Sequence, residues 1–251
     1  MTDASNPMTD FGFQRVAVSE KTAQVAEVFH SVAPHYDLMN DLMSWGLHRV
    51  WKRFAIHLCR IRPGHTVLDL AGGTGDLALR IRSLVGPEGQ VVLGDINAAM
   101  LTIGYDRWID QGAPAPMAFI QANAETLPFL DHSFDCVIMG FGLRNTTHPH
   151  RVLTDIQRVL KPGGRCIILE FSKPVLPGLQ ALYEVYSFKV LPWLGKKIAH
   201  DERSYRYLVE SIERHPDQHT LKQMMDAAGL ENCDYHNISG GIIAVHRGYK
   251  F

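Results

Sequence analysis

The stretch Asp69-Leu70-Ala71-Gly72-Gly73-Thr74-Gly75-Asp76 follows an apolar run and opens a helical pattern, so its glycines sit in a strand-to-helix turn. Glycine there lets the backbone turn sharply and approach a ligand more closely than a Cβ would permit. Gly73 to Ala78 also satisfies GxGxxA, the loose dinucleotide fingerprint, which does not by itself decide the ligand; the same glycines could simply form the turn. Asp69 is sharper: a carboxylate on the strand, upstream of the glycines, repels a pyrophosphate and suits an ammonium group. Asp95, just past the next strand, can accept both hydroxyls of a ribose or cap the helix that follows. After the third strand, Asn123-Ala124-Glu125 offers a side-chain amide and a backbone N–H to an adenine edge. Adenosine joined to an amino acid fits this set.

Such residues need a scaffold that gathers strand ends. From Arg62 onward short apolar runs alternate with helical patterns, the signature of a parallel sheet of right-handed βαβ units. The spacing predicts strands at His65 to Leu70, Gln90 to Gly94, Met117 to Gln121, Phe134 to Met139 and Arg165 to Phe171, with helices near Asp76 to Val85, Ala98 to Gln111 and His150 to Leu160. GPEG at Gly86 to Gly89 and KPGG at Lys161 to Gly164 read as turns. A last helix near Thr220 to Ala228 precedes two short strands, Asn232 to Ile238 and Ile242 to His246, whose tight connection implies an antiparallel hairpin. The fold class is therefore α/β: a doubly wound, mostly parallel, seven-stranded Rossmann-like sheet with an antiparallel C-terminal hairpin. Upstream, Val25, Val28, Phe29 and Val32, then Leu47, Val50, Trp51, Phe54, Ala55 and Leu58, recur at helical spacing and predict an N-terminal helical cap. A single domain is expected, made of a mobile arm (1–20), the cap (21–61), a cofactor-binding core (62–171), an aromatic-rich insertion or lid (172–215) and a C-terminal helix and hairpin (216–251).

Composition narrows the class. At 251 residues and 46% hydrophobic, the chain is globular, and 25 basic against 26 acidic residues deny it the global positive field of a nonspecific nucleic-acid binder. The four cysteines are far apart, with no CxxC and no metal-ligand spacing, so we expect no metal and a reduced, cytoplasmic, bacterial-style protein. The start lacks a basic segment followed by an apolar run, and no stretch approaches the ~20 apolar residues that span a bilayer, so membrane contact is expected to be peripheral, at the inner face of the plasma membrane. Oligomeric state is open, a homodimer included.

The order of Asp69, Gly73, Gly75 and Asp95, followed by Asn123 to Glu125, DHSFD at Asp131 to Asp135 and VLKPGGR at Val159 to Arg165, resembles the class I S-adenosylmethionine-dependent methyltransferases. Longer segments are similar to one family among them, the ubiquinone and menaquinone biosynthesis C-methyltransferases: Tyr36 to Asp41, Ser44 to Arg53, Leu68 to Asp76, Phe141 to Asn145, Ser204 to Leu208 and His246 to Phe251. Together they span nearly the whole chain. The resemblance implies S-adenosylmethionine as co-substrate and a polyprenylated quinol as acceptor, methylated at a ring carbon. It also implies cofactor contacts at Thr74, Asp95, Asn123 and Ala124, and at the residue after the fourth strand. That residue is usually serine and here is Gly140, which leaves only a backbone contact.

Carbon methylation needs an electron-rich ring, which a quinol becomes when a hydroxyl loses its proton. Arg144, directly after the fourth strand, could stabilise that phenolate, although a guanidinium does not itself act as the base. The resemblance implicates the pair Arg144 and Asn145, with the arginine acting through water. Tyr36, Asp37 and His48 of the cap are further candidates for binding hydroxyls or relaying a proton, against packing or helix capping; Arg144 could instead be a plain salt-bridge partner. The basic residues Arg49, Lys52 and Arg53, together with aromatic-rich Leu179 to Leu194, suit a polyprenyl channel touching the membrane or a quinone-biosynthesis complex. Rival readings are a nicotinamide-dependent oxidoreductase, a noncatalytic S-adenosylmethionine or lipid carrier, and a methyltransferase acting on RNA or another small molecule. Net charge and the aromatic insertion argue against nucleic acid. Benzoquinol, naphthoquinol or both remain open as acceptors, as does tail length.

Overall fold

The computed structural model describes residues 7–32, 41, 44–112, 116–180, 183, 186–190 and 202–251. Strands β3 (Thr66–Leu70), β4 (Gln90–Asp95), β5 (Met117–Gln121), β6 (Phe134–Gly140), β7 (Leu160–Phe171), β8 (Glu231–Ile238) and β9 (Ile243–Tyr249) form one seven-stranded sheet in the order β5-β4-β3-β6-β7-β9-β8. All neighbours from β5 to β7 are parallel, whereas β9 runs antiparallel to both β7 and β8. Side chains alternate across the sheet, so Cys136 and Ile138 of β6 join one buried layer while Val137 and Met139 join the other. The chain order reverses between β4 and β6 on either side of β3, which opens a crevice at their carboxyl ends.

Helices α3 (Asp76–Val85), α4 (Ala98–Asp110), α5 (Pro149–Val159) and α7 (Gln218–Ala227) lie where the apolar spacing predicts them. KPGG is not a separate turn. It is an irregularity inside a longer β7, because pairing jumps from Phe134↔Leu160 to Cys136↔Arg165 and Gly163 takes a φ of +80°. The expected insertion, 172–215, contains a regular helix, α6 (Glu202–Arg214), with Tyr205, Leu208, Val209 and Ile212 buried at helical spacing. Half of Leu179 to Leu194 lies outside the described residues, which include a π-helical turn at Tyr186–Val190.

The expected arm is corrected at residues 8–20. Strands β1 (Met8–Phe11) and β2 (Gln14–Ala17) pair as a hairpin leading into α1 (Val18–Val32). Phe11 and Val16 are buried with Val25 and Val28, and Phe11 stacks on Tyr207 of α6 with ring centroids 4.3 Å apart. The turn docks on α6 through Phe13 N, which donates to Glu210 Oε2 at 3.0 Å. Two apolar side chains in a polar stretch give little sequence signal, yet they complete a small core that α1 and α6 cannot close alone.

Helix α2 (His48–Cys59) also departs from its predicted face. Trp51, Ala55 and Leu58 are buried as expected, but Leu47, its N-cap residue, and Val50 point outward at 46% and 57% exposure. Lys52, expected on the basic face, is buried and donates to Asp76 Oδ2 at 2.8 Å. Phe11→Ala should lower the unfolding free energy by about 3 kcal/mol through the cavity it leaves against Tyr207. A urea midpoint equal to wild type would show that the hairpin does not pack.

Candidate active site

A cleft with an empty volume of about 830 Å³ occupies the carboxyl edge of the sheet. Its floor is Leu70, Ala71 and Gly73 after β3, its walls are Asp95 to Asn97 after β4, Ala122 to Glu125 after β5 and Gly140 to Gly142 after β6, and Thr22, Val25, Ala26 and Phe29 of α1 cover it. Gly73 and Gly75 have φ of +56° and +79°, and a Cβ on Gly72 would stand 2.7 Å from the Asp69 carboxyl carbon. The loop therefore needs glycine for conformation at two positions and for space at the third.

Asp95 is locked in place. Its Oδ2 accepts Gly73 N and its Oδ1 accepts Asn97 N, both at 2.8 Å, and burial pushes its pKa up against these two donors. Each oxygen keeps a lone pair for a diol. Asn123 lines the cleft with its Oδ1 turned back to Glu125 N at 2.9 Å, which leaves its amide nitrogen and the Ala124 backbone toward the cavity. At Gly140 a Cβ would meet Leu77 Cδ1 at 2.8 Å, so Leu77 fills the room that a serine would need.

The structure brings Gly73, Asp95, Asn123, Ala124, Gly140 and Asn145 to the lining of one cavity, but not Asp69, Thr74, Gly75 or Arg144. Asp69 is fully buried behind Gly72, its Oδ2 accepting Ala78 N at 2.8 Å and its Oδ1 without a partner among the described residues. Burial, against the pull of Ala78 N–H and Lys52, pushes its carboxyl up to about 7. Thr74 is buried and accepts from Arg107 Nη1 at 3.0 Å.

Arg144 and Asn145 lie on a 3₁₀ turn, Leu143–Asn145, directly after β6. The Arg144 side chain is only 5% exposed and pairs with Glu170 Oε2 at 2.9 Å. Its guanidinium carbon stands 5.9 Å from the Phe141 ring centroid and 5.4 Å from that of Phe171. Asn145 Oδ1 accepts Tyr207 OH at 3.0 Å, and burial pushes the Tyr207 hydroxyl's pKa upward. Sequence reasoning missed Glu170 and Tyr207. Glu170 sits at the end of an apolar strand as its lone acid, a local signal, whereas Tyr207 is visible only once α6 is recognised.

Tyr36 and Asp37 lie outside the described residues. His48 is not in the cleft wall: its Nδ1 is 3.0 Å from Ser44 Oγ and 3.6 Å from Asp41 Oδ1, and burial, helped by Lys52 and Arg49, lowers its pKa. Against the upward push of burial, Lys52 and Arg80 hold Asp76 down to about 2, tying α2 to the start of α3 beside the glycine loop. Among the described residues no group of three or more His, Cys, Asp or Glu side chains is placed to hold a metal.

A reversed-order sheet, a glycine loop off its central strand and a carboxylate closing the next strand define the class I methyltransferase fold. A solved S-adenosylmethionine-dependent methyltransferase from Aquifex aeolicus shares it, with a TM-score of 0.60 over 80% of this chain and 89% of its own at 16% identity. Residues 16–250 match the ubiE/COQ5 methyltransferase family, and the chain belongs to that family. Curated relatives, each called ubiquinone/menaquinone biosynthesis C-methyltransferase, are 61% identical in Coxiella burnetii, over 97% of both chains, and 56% identical in Pseudomonas paraeruginosa, over 98% of this chain and 96% of that one. The enzyme is an S-adenosylmethionine-dependent methyltransferase, and the cleft fits that cofactor: a loop that side chains would obstruct, a carboxylate fixed for a diol, and an apolar cover.

Because folding raises the Asp69 pKa to about 7, its stabilising contribution is fully present below the unfolded value of about 4 and is lost as the pH rises through 7. The thermal midpoint of the cofactor-free protein, compared with that of Asp69→Asn, should therefore decline between about pH 4 and about pH 7 and level off above that. Parallel profiles would show that the carboxyl is not enclosed as described.

Proposed function

We propose that the enzyme transfers a methyl group from S-adenosylmethionine to a ring carbon of a polyprenylated quinol, the step named in its relatives, with demethylmenaquinol, 2-polyprenyl-6-methoxy-1,4-benzoquinol or both as acceptors. The observation that carries this reading is the enclosed Arg144 guanidinium, on a segment whose Phe141, Gly142 and Asn145 line the cleft, held by Glu170 at Nη1 with its Nε–Nη2 edge unengaged among the described residues. An unanswered donor on a buried cation is costly in the free protein and suits an oxyanion that arrives with the substrate. A quinol hydroxyl with an ordinary phenolic pKa of about 10 is only ~0.1% ionised at pH 7, so holding the anion supplies about 4 kcal/mol toward reaction. S-adenosylmethionine supplies an electrophilic methyl group on a cationic sulfonium.

The chain's residues do the rest. Asp95 takes the ribose hydroxyls, Asn123 and Ala124 the adenine edge, the backbone of Gly73 and Gly140 the amino-acid portion, and Asp69 beneath the loop supplies a field for its ammonium. Val25 and Phe29 exclude water, which favours a step that consumes opposite charges. Asn145 orients a substrate hydroxyl, and Tyr36 and Asp37 are the proposed relay for its proton. Trp45, Leu47 and Val50, at 81%, 46% and 57% exposure beside Arg53, support peripheral docking on the membrane from which the quinol is drawn. Among the described residues no helix is long and apolar enough to cross a bilayer.

Isotope-labelled S-adenosylmethionine should label chemically reduced demethylated quinols and not their oxidised quinones, with Arg144→Ala about 100-fold slower or worse. Equal labelling of quinone and quinol would overturn the mechanism, and no labelling of either would overturn the acceptor. Calorimetry should show Asp95→Ala binding S-adenosylmethionine at least tenfold more weakly, about 1.4 kcal/mol; unchanged affinity would remove Asp95 from the cofactor site.

A further inference from the structure

Glu170, at the penultimate position of β7, is fully buried. Its Oε1 accepts the backbone N–H of Arg144 at 3.2 Å, while its Oε2 accepts Arg144 Nη1 at 2.9 Å and Phe171 N at 3.1 Å. Arg144 Nη1 also donates to the Phe141 carbonyl at 2.6 Å, and the guanidinium lies against the rings of Phe141 and Phe171. One carboxylate therefore fixes both the turn that carries the arginine and the side-chain rotamer of that same residue. All of these bonds fall on Nη1 or on the main chain, which leaves the Nε–Nη2 edge of the guanidinium unengaged among the described residues.

A buried ion pair is weak grounds for stability, because desolvating both ions offsets most of their attraction. What it supplies is geometry, since an arginine has four side-chain torsions to fix and a displacement of 1 Å at a reacting centre can cost ~100-fold in rate. We propose that Glu170 is a positioning residue for methyl transfer: it holds the Arg144 guanidinium at Nη1 so that the opposite, Nε–Nη2 edge meets the quinol oxyanion. This rests on the reading of Arg144 as the oxyanion's partner. Glu170 does not line the cleft, and it acts only through the arginine.

The test is a double-mutant cycle on the full chain, measured by labelled methyl transfer to reduced quinol, with S-adenosylmethionine affinity measured by calorimetry. Glu170→Gln should lose about 100-fold in kcat, with KM for the quinol and affinity for S-adenosylmethionine within about threefold of wild type. Combined with Arg144→Ala it should be no slower than Arg144→Ala alone, because a residue that acts through another adds nothing once that partner is gone. Glu170→Asp keeps the charge but withdraws it by a methylene. It should fold, bind S-adenosylmethionine normally and turn over about tenfold slower, which keeps the inference testable if the glutamine variant does not fold. Wild-type kcat in either folded Glu170 variant, or losses that multiply in the double variant, would overturn the inference while leaving a slow Arg144→Ala, and its reading, intact. A wild-type rate in Arg144→Ala would overturn that reading, and this inference with it.

Discussion

A guanidinium enclosed in protein must be balanced within a few ångströms, and at the end of β6 the Glu170 carboxylate does so. Much of the local architecture follows. The carboxylate reaches the arginine because β6 and β7 are adjacent and parallel, with Gly140 opposite Leu169, so Glu170 lies level with the start of the turn. Phe141 and Phe171 pack on each other with ring centroids 5.1 Å apart and the guanidinium lies against both, while Phe141 takes φ of +60°, which bends the chain out of the strand and into the cleft wall. The next residue, Asn145, is held by Tyr207, which stacks on Phe11. A continuous set of contacts thus runs from the N-terminal hairpin through α6 to the turn where chemistry is proposed.

The cofactor side of the cleft depends on a different constraint, the space under a glycine loop. Asp69 and Leu93 fill that space so closely that Gly72 admits no Cβ, and Asp95 pins the loop from its other side through Gly73 N. Lys52 and Asp76 then join the cap helix to the helix that the loop opens. The two halves meet along Gly140 to Asn145, where cofactor cleft and arginine turn share one short segment.

Strand-by-strand organisation was legible because burial on both faces of a parallel sheet demands short apolar runs, and turns between them demand glycine and proline. The glycine loop, Asp95 and the segment after β5 were legible for the same local reason, and the cavity gathers most of them. Less legible were residues whose role depends on a distant partner. Glu170 means little until Arg144 is opposite it, and the hairpin at residues 8–17 carries only two buried apolar side chains whose companions lie on α1 and α6. Helix α6 was legible in principle, since Tyr205, Leu208, Val209 and Ile212 keep helical spacing, but charged residues between them obscure the stripe. Lys52 shows the converse: a residue type that usually faces water is buried because Asp76 meets it.

The central claim is that the site lowers the cost of ionising a ring hydroxyl. Its most direct measurement is the spectrophotometric titration of a redox-inert prenylated methoxyphenol bound to the enzyme together with S-adenosylhomocysteine. The account predicts that the bound phenol ionises at least two pH units, about 2.7 kcal/mol, below the free phenol in the wild-type enzyme, and that Arg144→Gln abolishes the shift. A bound phenol that titrates where the free one does, or a shift that survives Arg144→Gln, would contradict it.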